Sequence, residues 1–309
     1  MDIFIQQLIN GLVLGAIYAL VALGYTMVYG ILGLINFAHG EVVMIGAMVA
    51  LSVIQLIVGS GIALPGPAIA GLGLLVAMPV CMLLGYTIER VAYRPLRAAP
   101  RLTPLITAIG VSIVLQNVAM IVWGRNYHSF PALLPTTPRY LAGATVSDLQ
   151  LFIVLLSCAI MAGLLVLVHR TRLGRAMRAT AQNPDVAGLM GVNINVVISL
   201  TFVIGSALAA VAGLMVSAYY GVAHYFMGFM LGLKAFTAAV LGGIGNLAGA
   251  MLGGVLLGII ESLGAGYIGD LTGGFLGSHY QDVFAFLVLV LVLTLRPSGL
   301  LGERVAERS

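Results

Sequence analysis

An all-α bundle of transmembrane helices is the fold class this sequence predicts, and three observations predict it. The chain has 309 residues, of which 61% are hydrophobic and only 8% charged, where a soluble domain carries about a quarter charged residues. Its mean hydropathy is +1.11. Its apolar residues fall in runs of membrane-crossing length, parted by short loops that gather nearly all the arginines. Too little polar surface remains to cover a globule in water, so the chain is read as a polytopic membrane protein. No loop is long enough to form a catalytic or ligand-binding domain of its own, so residues 1–309 form one membrane domain.

A helix needs about 20 apolar residues to cross roughly 30 Å of hydrocarbon. Such runs lie near 8–29, 41–58, 67–88, 103–123, 148–168, 194–218, 227–246, 249–267 and 281–295, about nine spans. The glycine-rich segments 30–40 and 241–250 are candidates for broken or re-entrant structure. The N-terminus, MDIFIQQ, carries Asp2 and no basic residue, and the run from Leu8 to Ile31 exceeds a signal-peptide core, so the first segment reads as a retained span. Cys81 and Cys158 lie inside apolar runs and suggest neither a disulfide nor a metal site.

The arginines orient the bundle. Arg90, Arg94, Arg97 and Arg101 share one loop, Arg170, Arg172, Arg175 and Arg178 another, and Arg296, Arg304 and Arg308 follow the last span. With nine crossings these eleven fall on one side, and only Arg125 and Arg139 fall opposite. Basic residues favour the cytoplasmic side, which puts the N-terminus outside and the C-terminus in the cytoplasm. An even count would break the agreement. The outer loop 124–147 is rich in proline and aromatics (Tyr127, Phe130, Pro131, Pro135, Pro138, Tyr140), and Trp123 sits where an interfacial belt residue belongs.

Glycine is abundant, with 40 residues, and periodic: Gly245, Gly249 and Gly253 recur every fourth residue, as do Gly205, Ala209 and Gly213, and Gly11 with Gly15. Small residues at this spacing let helix backbones approach closely. They serve internal packing, or shallow contacts that let helices slide during transport. Lys234 and Glu261 are the charges placed deepest in spans, each costing about 2.5–3.5 kcal/mol at the bilayer centre. Either they approach as an ion pair or share water in a cavity, or Lys234 snorkels to the outer headgroups while Glu261 faces polar backbone. In INFAHGE, Asn36, His39 and Glu41 fall at the cytoplasmic junction of the first two spans. No further cluster supplies metal ligands, so a turn in which Asn36 and Glu41 cap a helix is the reading.

The most charged stretch is RTRLGRAMRATAQNPDVAGLMG, from Arg170. Its arginines agree with every other cytoplasmic cluster, which argues for anionic lipid headgroups over nucleic acid. Asn183 is a helix cap, Pro184 suits the first turn, and Asp185 favours the positive helix start. Val186, Ala187, Leu189 and Met190 then give a short apolar surface closed by Gly191. Such a helix either docks on a protein partner or lies on lipid. The chain holds no HExxH, GxSxG or Ser–Lys arrangement, which argues against an enzyme, and no cofactor motif. Lys234 follows Leu233 and precedes Ala235, not the Gly-Lys-Ser/Thr of a phosphate loop, so energy for a pump would arrive through a cytoplasmic surface.

Five stretches resemble the permease subunits of branched-chain amino-acid ABC importers. They are GYTMVYGILGLINFAHGEVVMIGA from Gly24, IERVAYRPLR from Ile88, TRLGRAMRATAQNPDVAGLMGVN from Thr171, KAFTAAVLGGIGNLAGAMLGG from Lys234 and RPSGLLG from Arg296. The resemblance runs in order through nearly the whole chain. It implies a bacterial inner-membrane heterodimer with a related permease, two cytoplasmic ATPases and a periplasmic amino-acid-binding protein. It assigns the loop 170–193, with Arg175, Pro184, Asp185, Leu189, Met190 and Gly191, as the ATPase-coupling segment. The Glu-Ala-Ala that often opens this loop in the wider superfamily is missing: the region reads Arg178-Ala179-Thr180-Ala181. Leucine, isoleucine and valine are the expected cargo. The alternatives are other amino acids, amides or urea, or an autonomous ion-coupled carrier.

Overall fold

A computed structural model describes residues 2–97, 99–100, 102–133, 137–141, 143–273, 280–296 and 298–302. Pro135, Arg101, His279, Pro297, Arg304 and Arg308 lie outside the described residues. The long helices are α1 (Asp2–Leu32), α2 (His39–Gly59), α3 (Gly66–Ile88), α4 (Leu102–Trp123), α5 (Asp148–Arg170), α8 (Ile194–Tyr220) and α10 (Leu247–Leu271). These seven are long and apolar enough to cross a membrane. Between α5 and α8 run two shorter helices, α6 (Arg172–Gln182) and α7 (Pro184–Leu189). The remaining helices, α9 (Met227–Gly242) and α11 (Gln281–Leu295), are apolar but have 16 and 15 residues, about 24 Å at 1.5 Å per residue. Each apolar run read from the sequence holds a helix, but the run 227–246 is helical only to Gly242, and α9 and α11 are shorter than a full crossing.

Burial separates a centre from a rim. α1, α2 and α8 are mostly enclosed, whereas α3, α4 and α5 turn most of their surface outward as apolar side chains. Glycine sets how closely the central helices meet. Gly11 and Gly15 of α1 lie on α10, where a Cβ would come within 2.6 Å of the Ile259 or Val255 Cα, and Gly258 faces Gly15 in return. On the opposite flank of α10, Gly249 and Gly253 lie against Gly242 and Ala238 of α9. Gly245 does not share their stripe: it sits in the turn between α9 and α10 with φ +94°. The four-residue spacing continued past a helix start that Asn246 sets, its side chain accepting from the Gly249 N–H at 3.0 Å.

Four short strands cover the end of the bundle where α4 stops. β1 (His128–Ser129) pairs antiparallel with β4 (Val222–Ala223), and β2 (Pro138–Leu141) with β3 (Ala144–Ser147). Ser147 and Gln150 form a reciprocal capping box that starts α5, and Trp123 donates its indole N–H to Ser52 Oγ at 2.8 Å. At the other end, α3 passes into a π-helical turn, Glu89–Tyr93, and a 3-10 turn, Arg94–Leu96. There too the segment after α11 returns to α9, where the Leu300 and Leu301 N–H groups donate to Leu241 and Gly242.

Candidate functional site

Four helices converge on one buried charge centre. Lys234, two turns into α9, places Nζ 2.6 Å from Glu261 Oε1 of α10 and 2.7 Å from Asp282 Oδ1 of α11. Tyr18 of α1 donates to Glu261 Oε2 at 2.9 Å. The lysine and glutamate that the sequence singled out are thus in contact, and Lys234 does not reach out to headgroups. Asp282 and Tyr18 were not singled out, because one opens the last apolar run and the other is an ordinary aromatic within the first. Only the packing of α1, α10 and α11 round α9 brings them in. Removing one member of such a group strands the others, at about 3–5 kcal/mol.

Over this centre lies a chamber of about 340 Å³ at the strand-covered end of the bundle. Tyr18 and Lys234 line its floor, Tyr127, Tyr220, His224 and Phe226 its aromatic walls, and Met227, Met230 and Leu231 an aliphatic flank. The β1–β4 pair holds the rim, where the Tyr127 and His224 rings stack with centroids 4.2 Å apart.

The junction of α1 and α2 departs from the expected surface turn. His39 and Glu41 are buried in the first turn of α2, and neither Asn36 nor Glu41 caps it; the cap position is Ala38, without a side-chain hydrogen bond. Glu41 Oε1 accepts from Ser112 Oγ at 3.1 Å and Gln116 Nε2 at 2.7 Å, both in the middle of α4. Asn36 Oδ1 instead accepts from the Tyr93 hydroxyl at 3.1 Å. The reason is steric: Gly24 leaves room for the His39 ring, Gly40 abuts Gly228 and Gly232 of α9, and Gly228 faces Glu41 Oε2. These gaps let the chain turn back into the bundle instead of staying at its surface. His39 Nε2 and Glu41 Oε2 have no hydrogen-bond partner among the described residues.

The loop 170–193 has two parts. Thr171 caps α6 by accepting from the Gly174 N–H at 3.0 Å, and Gly174, Met177 and Thr180 face the bundle while Arg172 and Arg175 are exposed and Arg178 donates back to the Val168 carbonyl of α5. Asn183 then caps α7, its Oδ1 accepting from the Val186 N–H at 3.1 Å, with Pro184 at the first position and Asp185 in the first turn. Ala187 is buried, but Leu189 is 87% and Met190 80% exposed. Gly191 follows with φ +84°, a left-handed conformation in which a side chain is strained. Asn193 starts α8 by accepting from the Val196 N–H at 3.2 Å.

A second polar hub escaped the sequence reading. Glu89 is fully buried in the π-helical turn and accepts from Arg94, Arg97 and Ser199 Oγ, the last at 2.7 Å. Arg97 also donates to Asn195 Oδ1 at 2.7 Å. Two arginines of the basic loop therefore bolt the end of α3 to the first turn of α8. Among the described residues no group of three metal-ligating side chains is present.

A membrane bundle with a buried charge centre under a chamber at one end and a bare apolar helix at the other has the layout of a transport permease. Residues 7–293 match the family described as branched-chain amino acid transport system / permease component, and the chain belongs to that family. It is 48% identical over 310 residues to the high-affinity branched-chain amino acid transport system permease protein BraD of Pseudomonas aeruginosa, covering 99% of this chain and 98% of that one. To the corresponding protein LivH of Escherichia coli K12 it is 44% identical, covering 99% and 97%. A probable branched-chain amino acid transport permease of Methanocaldococcus jannaschii is 27% identical over 92% of this chain and 88% of its own.

Proposed function

We propose that this chain is one of two related permease subunits of an ABC importer in a bacterial inner membrane, carrying leucine, isoleucine and valine into the cytoplasm. The full-length likeness to high-affinity permeases of branched-chain amino acid systems is the observation that carries this reading. Two cytoplasmic ATPases supply the energy, and a periplasmic binding protein delivers cargo at the strand-covered end. The chain has no catalytic or cofactor role of its own and acts as one membrane domain.

The segment 170–193 is the ATPase joint. An apolar pair as exposed as Leu189 and Met190 normally marks a protein contact, and α7 leads directly into α8 through Gly191 and Asn193. Arginines on the outward face of α6 suit anionic headgroups beside that contact. Nine passages with the N-terminus outside, α9 the short seventh among them, put both arginine-rich segments and α7 in the cytoplasm and the chamber outside, with the 33–38 turn drawn into the bundle.

Reconstitution tests the reading. The two permeases, two ATPases and binding protein together should take up labelled leucine on ATP addition, and this chain alone should take up none. Uptake by the chain alone, driven by an ion gradient, would establish the autonomous-carrier alternative. Uptake of another amino acid, an amide or urea in preference to leucine would redirect the cargo.

A further inference from the structure

We propose that the cleft between α3 and α5 is a binding site for one phospholipid acyl chain, taken from the leaflet at the strand-covered end of the bundle. The site is separate from the chamber over Lys234 and does not depend on what the permease carries.

The chemistry of the walls is the first reason. The cleft has a volume of about 160 Å³ and lies between the opening turns of α3 and α5, with α8 and the segment after β1 closing it. Gly71 and Leu74 come from α3, Phe152 and Ile153 from α5, and Val211 and Met215 from α8. Among the described residues that line it, no side chain carries a charge, an N–H or an O–H. A polar ligand, a zwitterionic amino acid included, would give up its hydrogen bonds to water there and find none in return. Water meets the same difficulty: a cavity of roughly 150 Å³ lined by Leu, Ile and Phe stays dry and takes up apolar molecules instead.

Position is the second reason. Ile153, Val211 and Met215 are buried, whereas Pro67 and Gly71 of α3 and Phe152 of α5 are exposed, so the cleft has an enclosed floor and an open mouth. A Cβ at Gly71 would meet nothing within 4 Å. Leu72 and Leu75 on one side, and Leu151 and Leu155 on the other, continue the mouth into the exposed apolar surface of α3 and α5. Both helices are of membrane-crossing length, so the cleft is continuous with the surface that meets hydrocarbon. A helix, about 10–12 Å across with its side chains, is too thick for this space, and a file of methylene groups is not. The tail also has a place in the architecture. Val211, Met215 and Ala218 of α8 line the cleft while Val216 and Tyr220 line the chamber, so a seated tail supports the chamber wall from behind.

Photolabelling tests this on the complete membrane complex, both permeases and both ATPases, in nanodiscs of phosphatidylethanolamine and phosphatidylglycerol. The probe is a phosphatidylethanolamine with a diazirine along one acyl chain, and peptide mass spectrometry reads where it attaches. Label should appear on residues 211–218 of α8, which are buried or half-buried and meet lipid only through the cleft. Ala70→Trp, in the α3 wall, and Ala132→Trp, in the segment after β1, each fill the cleft and should lower that label about tenfold. Label on the exposed Ile113 and Val118 of α4 should stay unchanged in both. Ala132 is exposed, so its variant assembles and decides the matter if Ala70→Trp does not. Absence of label from 211–218 in the wild type, or full label there in Ala132→Trp, overturns the proposal. So does capture of the second permease, in place of lipid, by a benzoylphenylalanine introduced at Ala132. Leucine uptake tests the import reading separately, and its failure would leave these outcomes unaltered.

Discussion

Replacing Glu89 by Gln isolates the hub that joins the end of α3 to the start of α8. The glutamate is fully buried and accepts from two arginines and a serine, with Arg94 Nε at 3.2 Å, Arg94 Nη2 at 3.1 Å and Ser199 Oγ at 2.7 Å. Glutamine keeps the shape and part of the hydrogen bonding but removes the charge. Losing one partner of a buried pair costs about 3–5 kcal/mol. The Arg94 and Arg97 side chains are 29% and 21% exposed and can turn partly into water, which points to the lower end, about 3 kcal/mol. A loss of that size multiplies the population of locally opened states by roughly a hundred. Hydrogen-exchange mass spectrometry on the purified complex reads it directly. Peptides covering 89–97 and 194–200 should exchange faster by about that factor, while peptides in α1 and α10 stay unchanged. A change below threefold in both peptides would refute the argument that Glu89 carries this joint. Glu89→Asp, with its shorter reach, should fall between.

Three further outcomes follow from the same geometry. Leu189→Asp places a charge on a residue that is 87% exposed, so insertion and expression should be unaffected, while leucine uptake by the complete reconstituted importer falls at least tenfold; normal uptake would sink the docking assignment. Gly15→Leu must push α10 away, since even a Cβ would lie 2.6 Å from the Val255 Cα, and folded protein should be lost in fluorescence size-exclusion chromatography. Gly59→Leu, with nothing within 4 Å of its Cβ position, should elute as wild type. Lys234→Met strands Glu261 and Asp282 together and should lower the melting temperature of the purified complex more than the triple replacement with Glu261→Gln and Asp282→Asn, because neutralising all three removes the buried repulsion. The reverse order would show that the lysine is not what compensates these carboxylates.

The α7 segment shows how much local chemistry was readable. Asn183, Pro184 and Gly191 are start and stop signals that act within a few residues, and the helix Pro184–Leu189 lies where they put it. The Lys234–Glu261 approach was legible for a different reason: two deep charges of opposite sign have few other ways to avoid their desolvation cost. Asp282 and Glu89 carried no such mark, being acidic residues next to helix ends. The INFAHGE segment misled because His, Asn and Glu beside glycine look like a solvated turn, whereas Gly24, Gly40 and Gly228 open space for them inside the bundle.

By itself, then, the sequence determined that this is an apolar helical membrane protein, where its helices run, and how the helix leading into α8 is capped. Each of these depends on hydropathy over a window of residues or on hydrogen bonds within one turn. Tertiary structure alone decided the depth of the α1–α2 turn, the shortness of α9 and the chamber above Lys234. It also decided that Asp282 shares a centre with Glu261 and Glu89 one with Ser199. Those features depend on which backbone gap meets which side chain across helices far apart in the chain, and glycine, which creates the gaps, carries no side chain whose pattern could announce its partner.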